Sequence, residues 1–287
     1  MAAIQANLPP ELQTGRVTRY VEPFLGGGAV FFWFASLYLD KIQEFFLADV
    51  NPELILIYQT LQSHSEPLIE HLTRIQADYL SLSQAQQKTF YYEVRSQLNA
   101  QRERINFKVF QEAWIERAAK LLFLNKTCFN GLFRVNSQGE FNVPQGKYKN
   151  PTICDADNLR NVAQLLQRAK ICYCDFRNCE QWVNETTFVY FDPPYRPISK
   201  TASFTAYSQY NFDDVAQQRL ADLFQRLDDK GARLMLSNSD PKNENPADNF
   251  FEIAYGNYTI NRVEANRYIN SNTQRRGKIH ELLILNY

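Results

Sequence analysis

The sequence lacks most of what would make it secreted, metal-bound or membrane-borne. Its five cysteines, Cys128, Cys154, Cys172, Cys174 and Cys179, are an odd number without paired Cys-x-x-Cys spacing. That pattern suits reduced thiols rather than a disulfide framework or a zinc site. His64, His71 and His280 are too scattered to assemble a metal centre. The apolar runs Leu121–Leu124 and Leu282–Leu285 fall far short of the ~20 residues a membrane helix needs. No N-terminal stretch reads as a signal peptide, so the expected location is the cytoplasm. Net charge is also missing, with Lys+Arg and Asp+Glu at 31 each, so bulk charge names no partner. Local charge does better. Residues 126–150 carry Lys126, Arg134, Lys147 and Lys149 against Glu140 alone, and residues 262–278 carry five basic residues against Glu264 alone. Either a polyanion or water can cover such patches. Internal repeats and low-complexity segments are absent, and 287 residues make one large domain or a core with an insertion.

What is present centres on Phe188-Val189-Tyr190-Phe191-Asp192-Pro193-Pro194-Tyr195. The apolar residues suit a parallel strand covered on both faces. The prolines end its ladder, since neither has an N–H to donate. A carboxylate, stiff carbonyls and a tyrosine ring are left at the carboxyl end of a strand, where open α/β sheets bind ligands. Asp192 and the Pro193 carbonyl are acceptors only. Together they can take both hydrogens of an exocyclic amine on a flat heterocycle, with Tyr195 stacked on the ring. That arrangement favours the positive charge developing on the nitrogen during attack. Taken alone, the same residues equally describe a proline turn closed by an Asx hydrogen bond.

Arg19–Phe32 reads as a strand, the turn Gly26-Gly27-Gly28 and a helix start. Glycines 26 and 28 would let backbone N–H groups approach a ligand. About twenty residues on, Phe45–Asp49 is a second strand ending in an acid that can accept from ribose hydroxyls. There is no Walker lysine and no third glycine for a pyrophosphate. A cofactor with a nucleoside but no phosphate fits better, with S-adenosylmethionine the obvious one.

Helical periodicity predicts helices over Pro52–Leu61, Pro67–Tyr79, Gln84–Asn99 and Phe107–Leu124. The block from 66 separates the glycine unit from Asp192 and reads as an insertion. Between Asn125 and Pro151, Asn-Gly and Gln-Gly turns flank a short alternating run, as in a hairpin that can present Arg134 to a major groove and an aromatic to a base stack. An ordinary surface hairpin has the same composition. Downstream the pattern predicts a helix over Asn158–Ala169 and strands at Ile171–Phe176, Ala232–Leu236 and Glu281–Asn286. A further helix falls over Asp213–Asp229. Strands and helices alternate outside the insertion, which predicts a doubly wound, mostly parallel sheet.

These motifs and their order resemble the Dam-type DNA adenine-N6 methyltransferases (D12 class, group alpha). The resemblance runs from about Val21 to the C-terminus. It rests on Glu22–Gly28, Ala48–Asn51, Phe129–Asn136 with Gly139–Pro144, Asp192–Tyr195, Phe204–Tyr207 and Ser237-Asn238. It implies a Rossmann-like methyltransferase core over 1–56 and 153–287, with a helical target-recognition domain carrying a β-hairpin over 57–152. The implied reaction moves a methyl group from S-adenosylmethionine to N6 of an adenine flipped out of double-stranded DNA, within GATC. Asp192, Pro193 and Tyr195 would be catalytic. Glu22, Phe24, Gly26, Gly28, Asp49, Val50, Asp175, Phe176 and Asp192 would surround the cofactor, with Asp49 on the ribose and Asp175 and Phe176 beside the adenine. Phe129 would be the wedge. Leu132, Arg134 and Pro144 would read bases, Arg134 adding about 1–3 kcal/mol of discrimination at a guanine. Asn130 and Asn136 complete the hairpin's DNA face. Lys147, Lys149, Arg275, Arg276 and Lys278 would contact phosphates. No metal, no membrane and no obligate protein partner is implied, and a monomer is expected.

Two features depart from the family. Its members normally open with Lys-Trp-x-Gly-Gly-Lys against the cofactor; here Ala3–Pro10 looks like the helix that follows it, so either the sequence starts downstream of that segment or the protein binds cofactor poorly. The wedge is Phe where Tyr is usual. The competing readings are an RNA or protein-amide methyltransferase on the same scaffold, and a DNA-binding homologue without cofactor.

Overall fold

The computed structural model describes residues 1–196, 212–266 and 278–287, with only the backbone described at Ala265, Asn266 and Lys278. The Phe204–Tyr207 motif, Arg275 and Arg276 lie outside the described residues. The elements run α1 (Ala2–Ala6), α2 (Glu11–Thr14), β1 (Arg19–Glu22), α3 (Ala29–Tyr38), β2 (Glu44–Asp49), α4 (Pro52–Ser81), α5 (Gln84–Gln101), α6 (Ala113–Thr127), α7 (Ala156–Leu166), β3 (Ala169–Tyr173), β4 (Thr187–Phe191), α8 (Asp214–Asp229), β5 (Arg233–Ser239), α9 (Phe250–Ala254), β6 (Thr259–Asn266) and β7 (Lys278–Leu285).

The strands form one seven-stranded sheet in the order β3-β2-β1-β4-β5-β7-β6. β1 is parallel to β2 and β4, and β4 to β5, whereas β7 is antiparallel to β5 and β6. This is the doubly wound, mostly parallel sheet that the alternation predicted, in the Rossmann-like arrangement that the resemblance implied. Its register explains why the central strands are apolar throughout. Tyr20 pairs with Phe45 and Phe188, and Val21 with Phe46 and Val189. Successive side chains point to opposite faces. Tyr20, Phe45 and Phe188 therefore meet Phe31 and Phe34 of α3. Val21, Phe46, Val189 and Phe191 pack with Leu220, Leu223, Phe224 and Leu227 of α8. α8 starts where Asp213 accepts from the Ala216 N–H, an N-cap that satisfies an orphan donor.

The described chain divides into two compact units. The first holds Met1–Val50 and the described residues from Cys174 onward, including the strand tips named above. The second holds Asn51–Tyr173. In the second, Asn51 caps α4 by accepting from the Glu53 N–H, with Pro52 at the first helical position. Glu53 and Arg117 are both buried. Arg117 donates through Nε to Glu53 Oε2 at 2.9 Å, through Nη2 to Glu53 Oε1, and through Nη1 to the Leu98 carbonyl at 2.7 Å. One guanidinium thus ties three helices together.

Several boundaries differ from the sequence reading. The helices expected at Pro52–Leu61 and Pro67–Tyr79 are halves of α4, joined through a kink at His64 (φ −139°, ψ 45°). Pro67 explains the kink: it has no N–H for the Ser63 carbonyl, and its ring crowds that carbonyl. The helix expected from Phe107 starts only at Ala113. The N-terminal helix expected over Ala3–Pro10 stops at Ala6, because the residue before Pro9 is driven out of helical conformation. A strand at Thr259–Asn266, not anticipated, pairs along the whole of β7. None of the five cysteines is in a disulfide. Among the described residues no helix is long and apolar enough to cross a membrane, and no His/Cys/Asp/Glu group could hold a metal ion.

Candidate active site

Four carboxylates stand at the carboxyl ends of neighbouring strands. Glu22 is the last residue of β1 and Asp49 the last of β2. Asp175 follows β3 by two residues, and Asp192 follows β4 directly. Parallel strands put their carboxyl ends on one edge of the sheet, and the order β3-β2-β1-β4 sets Glu22 between Asp49 and Asp192, the last of these far from it in sequence.

Asp49 anchors the glycine turn. Its Oδ2 accepts from the Gly26 N–H at 2.8 Å, and the Ala48 carbonyl accepts from the Leu25 N–H at 2.9 Å. Gly26 and Gly28 have φ of 50° and 69°, a region that excludes most side chains and that glycine adopts freely. A Cβ built on Gly26 or Gly27 would meet nothing within 4 Å, so the turn borders open room. Gly28 then caps α3. Val50 immediately follows β2. Phe24 stacks on Phe176 (centroids 5.2 Å apart), and both meet Phe212. Phe176 is buried beneath Phe24, while the exposed Asp175 carboxylate is engaged by Arg177 at 2.7 Å. Burial pushes the Asp175 carboxyl up, but the Arg177 guanidinium and amide outweigh it and hold it below the usual range.

Glu22 is buried and accepts from the Tyr20 hydroxyl at 2.5 Å. Burial raises its pKa well above the ordinary carboxylate value; the Tyr20 hydrogen bond opposes this, and the charges of Asp192 and Asp49 add to it. Asp192 is open to water at its surface, yet the protein around it desolvates the carboxylate and raises its pKa, while Ser237 pulls it back. Ser237 donates to Asp192 Oδ1 at 2.8 Å and accepts from the Tyr190 hydroxyl at 3.1 Å. The segment after Asp192 is held on its far side. Gln217 donates to the Pro194 carbonyl at 3.1 Å, and Asn238 accepts from the Arg196 N–H at 3.0 Å. Arg196 bridges Asp214 and Asp248. Pro193 is buried and Tyr195 is 40% exposed, so the ring is available for stacking. The geometry thus brings Glu22, Asp49, Asp192, Pro193 and Tyr195 to one set of strand ends. The supports at Tyr190, Gln217 and Arg196 gave no sequence signal, because their partners are remote in the chain. Ser237 and Asn238 were visible as a motif but without a role.

The hairpin residues belong to the second unit. Val135 bridges Phe141, and Cys128 bridges Gln145, both antiparallel. The hairpin is therefore short, held by two bridges rather than a ladder. Asn130 and Gly131 both turn left-handed, with φ of 55° and 61°. Phe129 is 52% exposed; Asn130, Arg134, Pro144, Lys147 and Lys149 are exposed, and Leu132 and Asn136 half-buried. Phe141 and Val143 are buried, so the returning limb alternates inward and outward. A row of side chains on α5 and at its C-cap, Arg102, props that limb. Arg102 donates to the Gly139 carbonyl at 2.6 Å, and Asn99 to the Phe141 carbonyl at 3.1 Å while accepting from its N–H at 2.9 Å. Arg95 and Tyr91 both donate to the Val143 carbonyl. The spacing 91, 95, 99, 102 places these groups on one helix face; it is the sequence signal that could have revealed them. Of the expected phosphate contacts, Lys278 lies on β7, its side chain outside the described residues.

Comparisons with known proteins identify the family. The chain is 43% identical over 288 residues to the type II methyltransferase M.MjaIII of Methanocaldococcus jannaschii, covering 100% of this chain and 94% of that protein. It is 32% identical over 266 residues to a DNA adenine methylase of Haemophilus influenzae, covering 92% and 83%. Among solved structures, the rRNA methyltransferase aviRa of Streptomyces viridochromogenes aligns at a TM-score of 0.31 and 11% identity, covering 94% and 76%, a likeness too low to argue from. The description of the D12 class N6 adenine-specific DNA methyltransferases matches residues 1–269. The chain belongs to that family: it is an adenine-specific DNA methyltransferase.

Proposed function

We propose that this enzyme moves a methyl group from S-adenosylmethionine to N6 of an adenine flipped out of duplex DNA, within a GATC site. The observation that carries the reading is Asp192, an acceptor fixed by Ser237 at a strand end beside Pro193 and Tyr195. The residues fit the cofactor. Gly26 and Gly27 border open room, and the acids around it are acceptors suited to ribose hydroxyls and to a cationic ligand. Asp49 would hold the ribose, Gly26 and Gly28 the methionine end, and Asp175 and Phe176 the adenine, with Glu22, Phe24 and Val50 lining the remainder. Bound there, S-adenosylmethionine supplies a methyl group on a positively charged sulfur. The Asp192 carboxylate and the Pro193 carbonyl accept the two N6 hydrogens, and Tyr195 stacks on the target base. Their aim is set before the base arrives, so the nitrogen's developing charge is met without reorganisation.

Residues 57–152 serve as the target-recognition domain in this reading. Phe129 wedges into the duplex and Leu132, Arg134 and Pro144 read base edges, with Asn130 and Asn136 beside them. Lys147, Lys149, Arg275, Arg276 and Lys278 contact phosphates, and the enzyme acts as a monomer without a protein partner. The test uses tritiated S-adenosylmethionine with a duplex containing one GATC and the same duplex already N6-methylated there. Label should enter the first alone. Equal labelling of both, or labelling of RNA or protein instead, would sink the reading.

A further inference from the structure

Arg134 and Asn142 face each other across the hairpin. The Asn142 N–H donates to the Arg134 carbonyl at 3.1 Å. In return, Arg134 Nε donates to Asn142 Oδ1 at 2.7 Å and Arg134 Nη2 to the Asn142 carbonyl at 3.3 Å. Nε and Nη2 form one edge of the planar guanidinium. Asn142 occupies that edge, which leaves the end-on edge, Nη1 with the second hydrogen of Nη2, directed away from it. A guanine offers N7 and O6 as adjacent acceptors, the pair that an arginine fork meets in the major groove. The limb carrying Asn142 is itself fixed: Phe141 is held at both N–H and carbonyl by Asn99, and Val143 at its carbonyl by Tyr91 and Arg95.

We propose that Asn142 is a positioning residue for sequence discrimination, locking the plane of Arg134 so that its end-on edge is presented to guanine. The inference rests on the reading of the hairpin as the DNA-reading element. A long arginine side chain is otherwise free to rotate, and the order imposed here before DNA binds removes part of the cost of ordering it on the base. Asn142 therefore acts on base choice without reading a base.

The test compares kcat/KM on a cognate duplex with kcat/KM on duplexes in which each recognition-site guanine in turn is 7-deazaguanine, which lacks the N7 acceptor. Arg134→Ala, Asn142→Ala, Asn142→Asp and the Arg134→Ala/Asn142→Ala pair are measured, with binding against salt concentration and a thermal melt for each. Asn142→Ala should lower the preference for guanine about tenfold, within the range of one bidentate contact. The pair should do no worse than Arg134→Ala, because both changes remove the same contact. Asn142→Asp keeps an acceptor for Nε and should retain the preference. If Asn142→Ala melts early, Asn142→Ser replaces it, which also withdraws the acceptor from reach. An unchanged preference in Asn142→Ala, additive losses in the pair, or equal weakening on every duplex at an unchanged salt slope would overturn the proposal; the last would make Asn142 a neutral phosphate contact. If Arg134→Ala itself leaves the preference intact at every guanine, the reading of Arg134 as the guanine contact fails, and the role of Asn142 with it.

Discussion

Ser237 and Asp192, 45 residues apart, share a 2.8 Å hydrogen bond in which the serine hydroxyl donates to the carboxylate. Tyr190 donates to the same hydroxyl from the strand that ends at Asp192. The two hydroxyls form a relay from β4 to β5 and back to the strand tip. The serine side chain has one hydrogen to give, and the tyrosine leaves it free to give that hydrogen to Asp192. Around the carboxylate stand Glu22 on β1, Tyr190 on β4, Tyr195 after it and Glu281 on β7, each electrostatically coupled to Asp192.

Removing the serine donor should therefore show in a pH profile. Desolvation by the surrounding protein raises the Asp192 pKa and Ser237 lowers it. In Ser237→Ala only the raising influences remain, so the acid limb of kcat/KM should move to higher pH. At a pH above that limb the remaining loss should be no more than about 10- to 150-fold, since one hydrogen bond to a charged group is worth about 1.5–3 kcal/mol. A limb that stays in place would show that Ser237 supports the fold and does not tune the carboxylate.

Asp192→Asn keeps the shape but exchanges half of an acceptor for a donor facing the amine. Transfer should fall at least about 100-fold, the scale for losing one preorganised electrostatic group. DNA binding, followed by gel shift, should be unaffected. Retained turnover would remove Asp192 from the catalytic role.

Glu22 shows a cost that the site imposes on the fold. Its folded pKa lies above the unfolded value, first through burial. Such a carboxylate favours the folded state when protonated, below the unfolded pKa, and that contribution is lost as pH rises through the folded pKa. At neutral pH the ligand-free protein should thus be more stable as Glu22→Gln, which keeps an acceptor for the Tyr20 hydroxyl. The gain should shrink as pH is lowered toward the unfolded carboxylate value. Calorimetry of S-adenosylmethionine binding should show weaker affinity in the same variant. Melting temperatures that match at every pH would refute the argument.

In the second unit, Arg117→Met should destabilise the protein by about 3–5 kcal/mol, because it leaves Glu53 buried and unpaired. Adding Glu53→Leu should recover part of that loss, since two apolar side chains replace a desolvated pair. Urea unfolding measures both. A double variant worse than the single would mean that the pair contributes more than its desolvation costs.

Lys147→Ala and Lys149→Ala each remove an exposed cation from the chain beyond the hairpin. Each should weaken binding evenly across DNA sequences and reduce the salt slope of log K by about one. A selective effect at one base pair would assign that lysine to base reading instead.

The sequence by itself determined which apolar strands end in an acid. Apolar runs ending in an acid, glycines opening a helix and prolines closing a strand are local constraints, so Gly26, Asp49 and Asp192 stood out without coordinates. The amphipathic helices and the hairpin turns were legible for the same reason, because periodicity and turn chemistry act within a few residues. What only the tertiary structure decided was partnership across distance. That Ser237 would serve Asp192, that Asn99 would brace Phe141 and that Arg117 would meet Glu53 depend on which elements pack together, and serine, asparagine and arginine look alike in sequence whether they face water or a buried partner. The lengths of β6 and β7 were hidden for a related reason. Neither Thr259–Asn266 nor Lys278–Leu285 alternates strictly between polar and apolar residues, and it is their pairing with each other that runs over eight residues.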